Sequence, residues 1–163
     1  MFVSFFPRPR LFFISAAVWS LLLVLLWFLG GSQLGGSLGL ASAPGGEPII
    51  GPSRFLTPEF LWFYVYFGIG IGLFYLFWAW FEPHPWQNWS ILGSGLIIFV
   101  TNFSVQVSVA LNDWRGMFYD MVQQALTTAG SVTPGQLYLG VWQFLSLALV
   151  AVSYTHLTLP TKA

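Results

Sequence analysis

Seven polar side chains lie within one apolar stretch of the chain, and their spacing indicates a shared helical face. Ser94, Thr101, Ser104, Ser108 and Asn112 recur at helical intervals, and Asn102 and Gln106 lie beside them. Hydroxyl and amide groups are costly in hydrocarbon unless they face protein or water. The residues are therefore either hydrogen-bonded contacts between helices or one wall of a hydrated pathway, and both interpretations stay open. The candidate pathway residues are Thr101, Asn102, Ser104, Gln106 and Ser108.

A second pattern, Gly68, Gly70 and Gly72, has the alternation of a nucleotide-binding loop but lies inside an apolar run. Such a loop needs a preceding strand and an aqueous setting, which this stretch lacks. Gly68 and Gly72 also satisfy the G-x-x-x-G spacing that lets two membrane helices approach closely. The sequence therefore predicts that these two glycines mediate helix packing.

The remaining reactive residue types form no catalytic pattern. His84 stands between two prolines without partner ligands, which predicts a structural turn rather than a metal site. Asp113, Arg115 and Asp120 are expected to pair with one another at the surface. The chain has no Cys, no Ser-His-Asp arrangement and no phosphate loop. We expect no enzyme activity, metal or cofactor.

Composition determines the solvent in which the chain folds. The 163 residues are 56% hydrophobic and 6% charged, with a mean hydropathy of +0.75. Soluble domains carry about 25% charged residues, so lipid is the expected environment. Five basic residues are too few for a nucleic-acid surface. The composition predicts an all-α polytopic transmembrane helical bundle whose first partner is the lipid bilayer.

Apolar runs predict three complete membrane spans at residues 11–29, 60–81 and 90–111. A fourth span begins near residue 136 and is cut short at about residue 151. The first run is longer than the apolar part of a signal peptide, which favours an uncleaved span. Residues 30–58 are rich in Gly, Ser, Pro and Ala and predict an aqueous loop.

The segment from residue 112 to residue 132 has apolar residues at helical spacing on one face. This pattern predicts a helix that either lies on the membrane surface or extends the third span. Thr133, Pro134 and Gly135 form a turn typical of a helix start. Arg8 and Arg10 flank the first span, which places the N-terminus in the cytoplasm and the 30–58 and 112–136 segments outside.

Two sequence blocks resemble a known family. The first runs from Pro83 through Trp86 and Trp89 to Gly93 and on to Thr101, and the second contains Phe118, Tyr119 and Asp120. Together with Ser4-Phe5-Phe6-Pro7, they resemble the SbmA/BacA family of bacterial inner-membrane peptide-antibiotic transporters. The resemblance covers about residues 1–151, which we take as the N-terminal transmembrane region of a longer protein.

The resemblance implies the transmembrane fold of ABC exporters without a nucleotide-binding domain. It also implies a homodimeric importer in the bacterial inner membrane. Substrates would be proline-rich antimicrobial peptides and microcins, taken up with the proton gradient. The family pattern has an acid where this chain has Gln106, so we expect no proton coupling at that position.

Two alternatives stay open at this stage. The second block also resembles the membrane part of an ABC half-transporter with a fused ATPase. A non-transporting membrane scaffold would bury the polar face of the third span in protein. Further membrane-embedded glutamates downstream would favour the peptide importer, and a Walker A motif would favour the ABC half-transporter.

The last twelve residues, 152–163, are predicted to be a sequencing-adapter artefact. The codons of a transposon end used in library preparation translate to Val-Ser-Tyr-Thr-His-Leu, the residues at 152–157. We expect the underlying nucleotides to match the adapter, which resequencing of the gene from source DNA would check. Codons that depart from the adapter at several bases would show that the tail is native.

Overall fold

The computed structural model describes residues 5–40 and 49–158, with side chains described as far as residue 153. All regular secondary structure in these residues is helical, which confirms the predicted all-α class. The α-helices are α1 (Pro9–Leu26), α2 (Ser32–Ser37), α3 (Pro58–Phe81), α4 (Ser94–Thr127) and α5 (Pro134–Thr158). A 3₁₀ turn spans Pro52–Leu56, and π-helical turns span Trp27–Gly31 and Asn88–Gly93.

Four helical segments of the described chain are long and apolar enough to cross a membrane. They are Pro9–Ser37, Pro58–Phe81, Asn88–Thr127 and Pro134–Ser153. Their hydrophobic surface is mostly exposed, as expected where lipid is the solvent. The chain is therefore a multi-pass membrane protein.

The first helical segment extends further than the sequence predicts. The expected span ends at residue 29, whereas the π-helical turn continues the helix to Ser37 through a kink at Gly30. The Trp62 indole donates a hydrogen bond of 2.8 Å to the Gly31 carbonyl. Gly35 is buried, and a Cβ there would lie 2.8 Å from the Trp62 ring. The composition after residue 29 predicts a loop, but the contacts of this segment with Trp62 of α3 accompany a helix there instead.

Residues 1–46 and 57–98 form one compact unit, in which α1 and α3 are antiparallel. The Trp19 indole donates to the Gly70 carbonyl at 3.0 Å, and the Tyr66 hydroxyl donates to the Leu23 carbonyl at 2.6 Å. At one end of the pair, Arg8 forms an ion pair of 2.7 Å with Glu82. The buried residues of this unit's core are Phe12, Phe74, Trp78 and Ile91.

Residues 47–56 and 99–163 form the second unit, which contains most of α4 and all of α5. The second sequence block lies within α4, so the predicted helix extends the third span. The Trp114 indole donates to the Gly140 carbonyl at 2.8 Å, and its ring contacts Phe144. Gln136 accepts a hydrogen bond from the Thr133 amide at 2.8 Å, which caps α5 as its sequence predicts.

The ion pair of Asp113 differs from the expected one. Asp113 pairs with Arg54, which lies 59 positions earlier, rather than with Arg115 or Asp120. Helical geometry explains the difference, because residues two apart on a helix point in different directions. The pairing also places the 3₁₀ turn beside the middle of α4.

The end of the chain is described only in part. Helix α5 continues to Thr158 and so overlaps the segment predicted to be foreign, residues 152–163. Residues 159–163 lie outside the described residues, as do the side chains from residue 154 onward. The origin of this segment stays a prediction.

The two ion pairs agree with the predicted alternation of the chain across the membrane, and they suggest a direct test. Because the chain has no Cys, single cysteines report unambiguously. We expect Ser37→Cys to react with a membrane-impermeant maleimide in intact cells, and Pro85→Cys to react only after permeabilisation. Both positions are exposed, whereas the neighbouring Gln87 is buried. Labelling of Pro85→Cys in intact cells would show that the chain has the opposite orientation in the membrane.

Candidate functional site

The polar residues singled out in the sequence lie on α4, and three of them are turned away from their own unit's core. Val107 and Ala110 are buried, with exposed fractions of 1% and 2%. Successive helical residues are about 100° apart, so Thr101, Ser108 and Asn112 fall on the opposite side of the helix. These three are exposed within the described chain. We call Thr101, Ser104 and Ser108 the hydroxyl stripe; Ser104 is half-buried at its edge, and Asn112 continues the stripe with an amide.

Asn102 and Gln106 occupy a different position from the hydroxyl stripe. Both are half-buried, and with Asp113 they fall on one flank of α4, between its buried and exposed sides. Asp113 at the end of this flank carries the ion pair with Arg54. The structure therefore groups the two amides with a charged pair and separates them from the hydroxyls.

The two sets of residues differ in how they satisfy their hydrogen bonds. The Ser108 hydroxyl donates to the Ser104 carbonyl one turn earlier at 3.0 Å. A serine can thus remain in hydrocarbon by bonding to its own helix. An Asn or Gln amide has two N–H donors and a carbonyl acceptor, which one helix turn does not satisfy. Asn102 and Gln106 therefore need hydrogen-bond partners in protein or water beyond their own helix more than the serines do.

The first sequence block packs onto α3. The Gln87 amide donates to the Tyr75 carbonyl at 2.9 Å, and the Tyr75 hydroxyl donates to Asn88 Oδ1 at 2.8 Å. Gln87 and Ser90 are buried, at 5% and 1% exposed. At the start of the block, His84 Nδ1 accepts a hydrogen bond from the Trp86 amide at 3.2 Å. The block thus anchors the start of the third span, and His84 contributes to a turn.

The aromatic residues of the two blocks point in different directions. Trp86 and Trp89 are 46% and 68% exposed, as expected for rings at the edge of a bilayer. Phe118 packs inward, since a Cβ at Gly140 would lie 2.8 Å from its ring. Tyr119 and Asp120 are exposed. Of Phe118, Tyr119 and Asp120, Phe118 is therefore the one that packs against its own unit.

The glycines of the G-x-x-x-G pattern are not the ones that approach another helix in this unit. A Cβ at Gly68 or Gly72 would meet nothing within 4 Å, whereas a Cβ at Gly70 would lie 2.7 Å from Leu23. Gly70 also accepts the Trp19 hydrogen bond. Packing through Gly68 and Gly72 stays a prediction, with the partner outside their unit.

Sequence reasoning missed an apolar groove in the first unit. The groove has a volume of about 460 Å³ and lies among α1, α3 and the residues from Ile91 to Ile98. Aromatic side chains of α1 and α3 supply much of its wall. Hydropathy alone does not reveal it, because the same residues also mark the spans. Within the described residues, no group of His, Asp and Glu is arranged to hold a metal.

Comparison with known families identifies the region that contains α4. Residues 83–159 match the model of the SbmA/BacA-like family. Over these residues, the chain is similar to the SbmA/BacA-like family. The match begins at the proline that opens the first sequence block, and it covers both blocks, the hydroxyl stripe and α5.

The similarity to the SbmA/BacA-like family bears on the interpretation of the site. The family is a family of membrane transporters rather than enzymes, in agreement with four candidate spans. The polar residues of α4 all lie inside the matched region. The match also includes residues 152–159. Resequencing of the gene would show whether these residues are native.

The packing of the first SbmA/BacA block predicts unequal costs for neighbouring substitutions. Gln87→Ala removes a buried donor and leaves the Tyr75 carbonyl with one partner fewer, so unfolding free energy should fall by about 1–3 kcal/mol. Asn88→Ala removes an exposed acceptor and should cost less than about 1 kcal/mol. Denaturant titration in mixed micelles would measure both. Equal costs would mean that the Gln87 contact does not anchor the block.

Proposed function

We propose that this chain forms part of an inner-membrane importer of peptide antibiotics, with proline-rich antimicrobial peptides and microcins as substrates. The observation that carries the proposal is the hydroxyl stripe of α4. It lies inside the family match and faces away from the core of its own unit. A stripe of this kind supplies polar groups along the length of a span, which a packed helix face does not need.

The chemistry of α4 suits an extended peptide. Hydroxyls and amides at successive turns donate and accept hydrogen bonds without binding a charge tightly. A peptide backbone that crosses a membrane needs such partners at each step, since hydrocarbon provides none. Proline-rich peptides carry fewer amide donors, so acceptor and donor groups at intervals of a helical turn are sufficient.

Import driven by a proton gradient requires titratable residues, and the three complete spans predicted from the sequence have none. Residues 11–29, 60–81 and 90–111 contain no Asp, Glu, Lys, Arg or His. Gln106 occupies the centre of the flank where an acid would serve. We therefore propose that proton coupling depends on acidic residues elsewhere in the intact transporter, and that α4 lines the pathway in a homodimer.

An uptake assay tests the role of α4. In a strain that lacks its own peptide importer, the intact protein should restore sensitivity to a proline-rich antimicrobial peptide. Asn102→Leu and Gln106→Leu should each reduce uptake of a labelled peptide by about tenfold, because losing one hydrogen bond to a transported group costs about 1–1.5 kcal/mol. Leu96→Ile, an exposed substitution on the same helix but away from both sets of polar residues, should leave uptake unchanged.

Two controls make the result decisive. Immunoblots of membrane fractions should show equal amounts of the variants, and spin labels at positions 102 and 106 should show low exposure to lipid. Residues 1–151 alone should not restore sensitivity, because their three complete spans contain no residue that can exchange a proton. Full uptake by both Leu variants would remove α4 from the pathway and favour a scaffold.

A further inference from the structure

The apolar groove of the first unit has dimensions that restrict what can occupy it. Its wall follows α1 from Phe12 to Phe28, a distance of about 24 Å at the helical rise of ~1.5 Å per residue. A volume of about 460 Å³ spread over that length makes the groove long and narrow. A flexible hydrocarbon chain can follow such a groove, whereas an α-helix, ~10 Å or more across, could insert only its side chains. The shape of the groove therefore favours a single hydrocarbon chain.

The wall of the groove offers almost nothing to a polar ligand. Trp19 and Tyr66 line it, but their N–H and O–H groups donate to the carbonyls of Gly70 and Leu23. The aromatic faces of Phe13, Phe63 and Phe67 provide much of the remaining surface. A peptide in this groove would leave its backbone amides without partners, at a cost of several kcal/mol each. A hydrocarbon chain has no such groups.

One end of the groove lies next to a cation that is exposed. Phe13 lines the groove, and Arg10 lies three positions earlier on the same face of α1. The nearby Arg8 already forms an ion pair with Glu82. A phosphate at this end would therefore meet Arg10, while the attached chain entered the groove beside Phe13. Basic residues at the edge of a membrane attract anionic lipids in this way.

We propose that the first unit binds one anionic glycerophospholipid, with an acyl chain in the groove and its phosphate on Arg10. The site is separate from α4 residues 101–108 and does not depend on peptide import. Because the occupied groove buries hydrocarbon against both α1 and α3, the lipid would stabilise their antiparallel pairing.

Native mass spectrometry of the purified protein tests this proposal. The protein would be reconstituted in vesicles of equal phosphatidylglycerol and phosphatidylcholine content and then extracted in a mild detergent. We expect one retained phosphatidylglycerol, favoured over phosphatidylcholine by about fivefold or more. Ala16→Phe places a ring in the groove and should reduce retention about tenfold. Val18→Phe, at an exposed position on the opposite side of α1, should retain lipid as the unmodified protein does.

Further variants separate the chain site from the headgroup site. Arg10→Gln should abolish the preference for phosphatidylglycerol, and Arg10→Lys should keep it. Ser20→Phe also fills the groove but lies away from the Phe12–Trp78 core, so its loss of lipid cannot be ascribed to a disturbed core. Circular dichroism would confirm that each variant is folded.

Three outcomes would overturn the proposal. The first is equal retention of the two lipids by the unmodified protein, and the second is undiminished retention by both Ala16→Phe and Ser20→Phe. The third is efficient disulfide formation between two copies of Ala16→Cys in vesicles, which would show that a second chain occupies the groove. Failure of the peptide-uptake assay has no bearing on any of these readouts.

Discussion

The structure depends on one constraint: hydrocarbon offers no hydrogen-bond partner, so each polar atom within the membrane must find one inside the protein. The indoles of Trp19 and Trp62 meet this need by donating to backbone carbonyls of another helix, and Trp114 makes the same kind of bond near the membrane boundary. A carbonyl has two lone pairs, so it accepts such a bond without giving up its helical one. These bonds also set the register of the first two spans. Arg8 lies beside Glu82 at one end and Gly31 lies beside Trp62 at the other, so the two segments are antiparallel.

The acceptors of these three indoles are all glycines, Gly70, Gly31 and Gly140. A glycine has no side chain to hold the ring away from the backbone, so the indole reaches the carbonyl. At Gly70 and Gly140, an added Cβ would lie under 3 Å from a neighbouring side chain, which shows how closely the helices approach. Tryptophan and glycine residues therefore act together at these three contacts.

This pairing explains which features the sequence predicts and which it does not. Hydropathy reports the average environment of a segment, so it predicts the spans and the all-α class. It does not report which face of a helix meets another helix, and it therefore favoured Gly68 and Gly72 over Gly70. The extension of α1 to Ser37 was also hidden, because the contacts of Trp62 with Gly31 and Gly35 depend on a residue about thirty positions away. The periodicity of the polar residues of α4 is local and therefore visible in the sequence, but the separation of Asn102 and Gln106 from the hydroxyls is seen only in the structure.

The charges follow from the same constraint, since they are stable only where water reaches them. Asp113 pairs with Arg54 and is followed in the chain by Trp114. Tryptophan is a residue type that favours the membrane boundary. Helix α4 has 34 residues and is about 51 Å long, whereas the hydrocarbon core is about 30 Å thick. If the ion pair marks the boundary, residues 94–112 cross the core and the remainder of α4 extends beyond it. The hydroxyl stripe and the two amides then lie inside the membrane, while Phe118 packs against Gly140 outside. The polar residues of α4 and the contacts that Trp114 and Phe118 make with α5 thus lie in different parts of the helix.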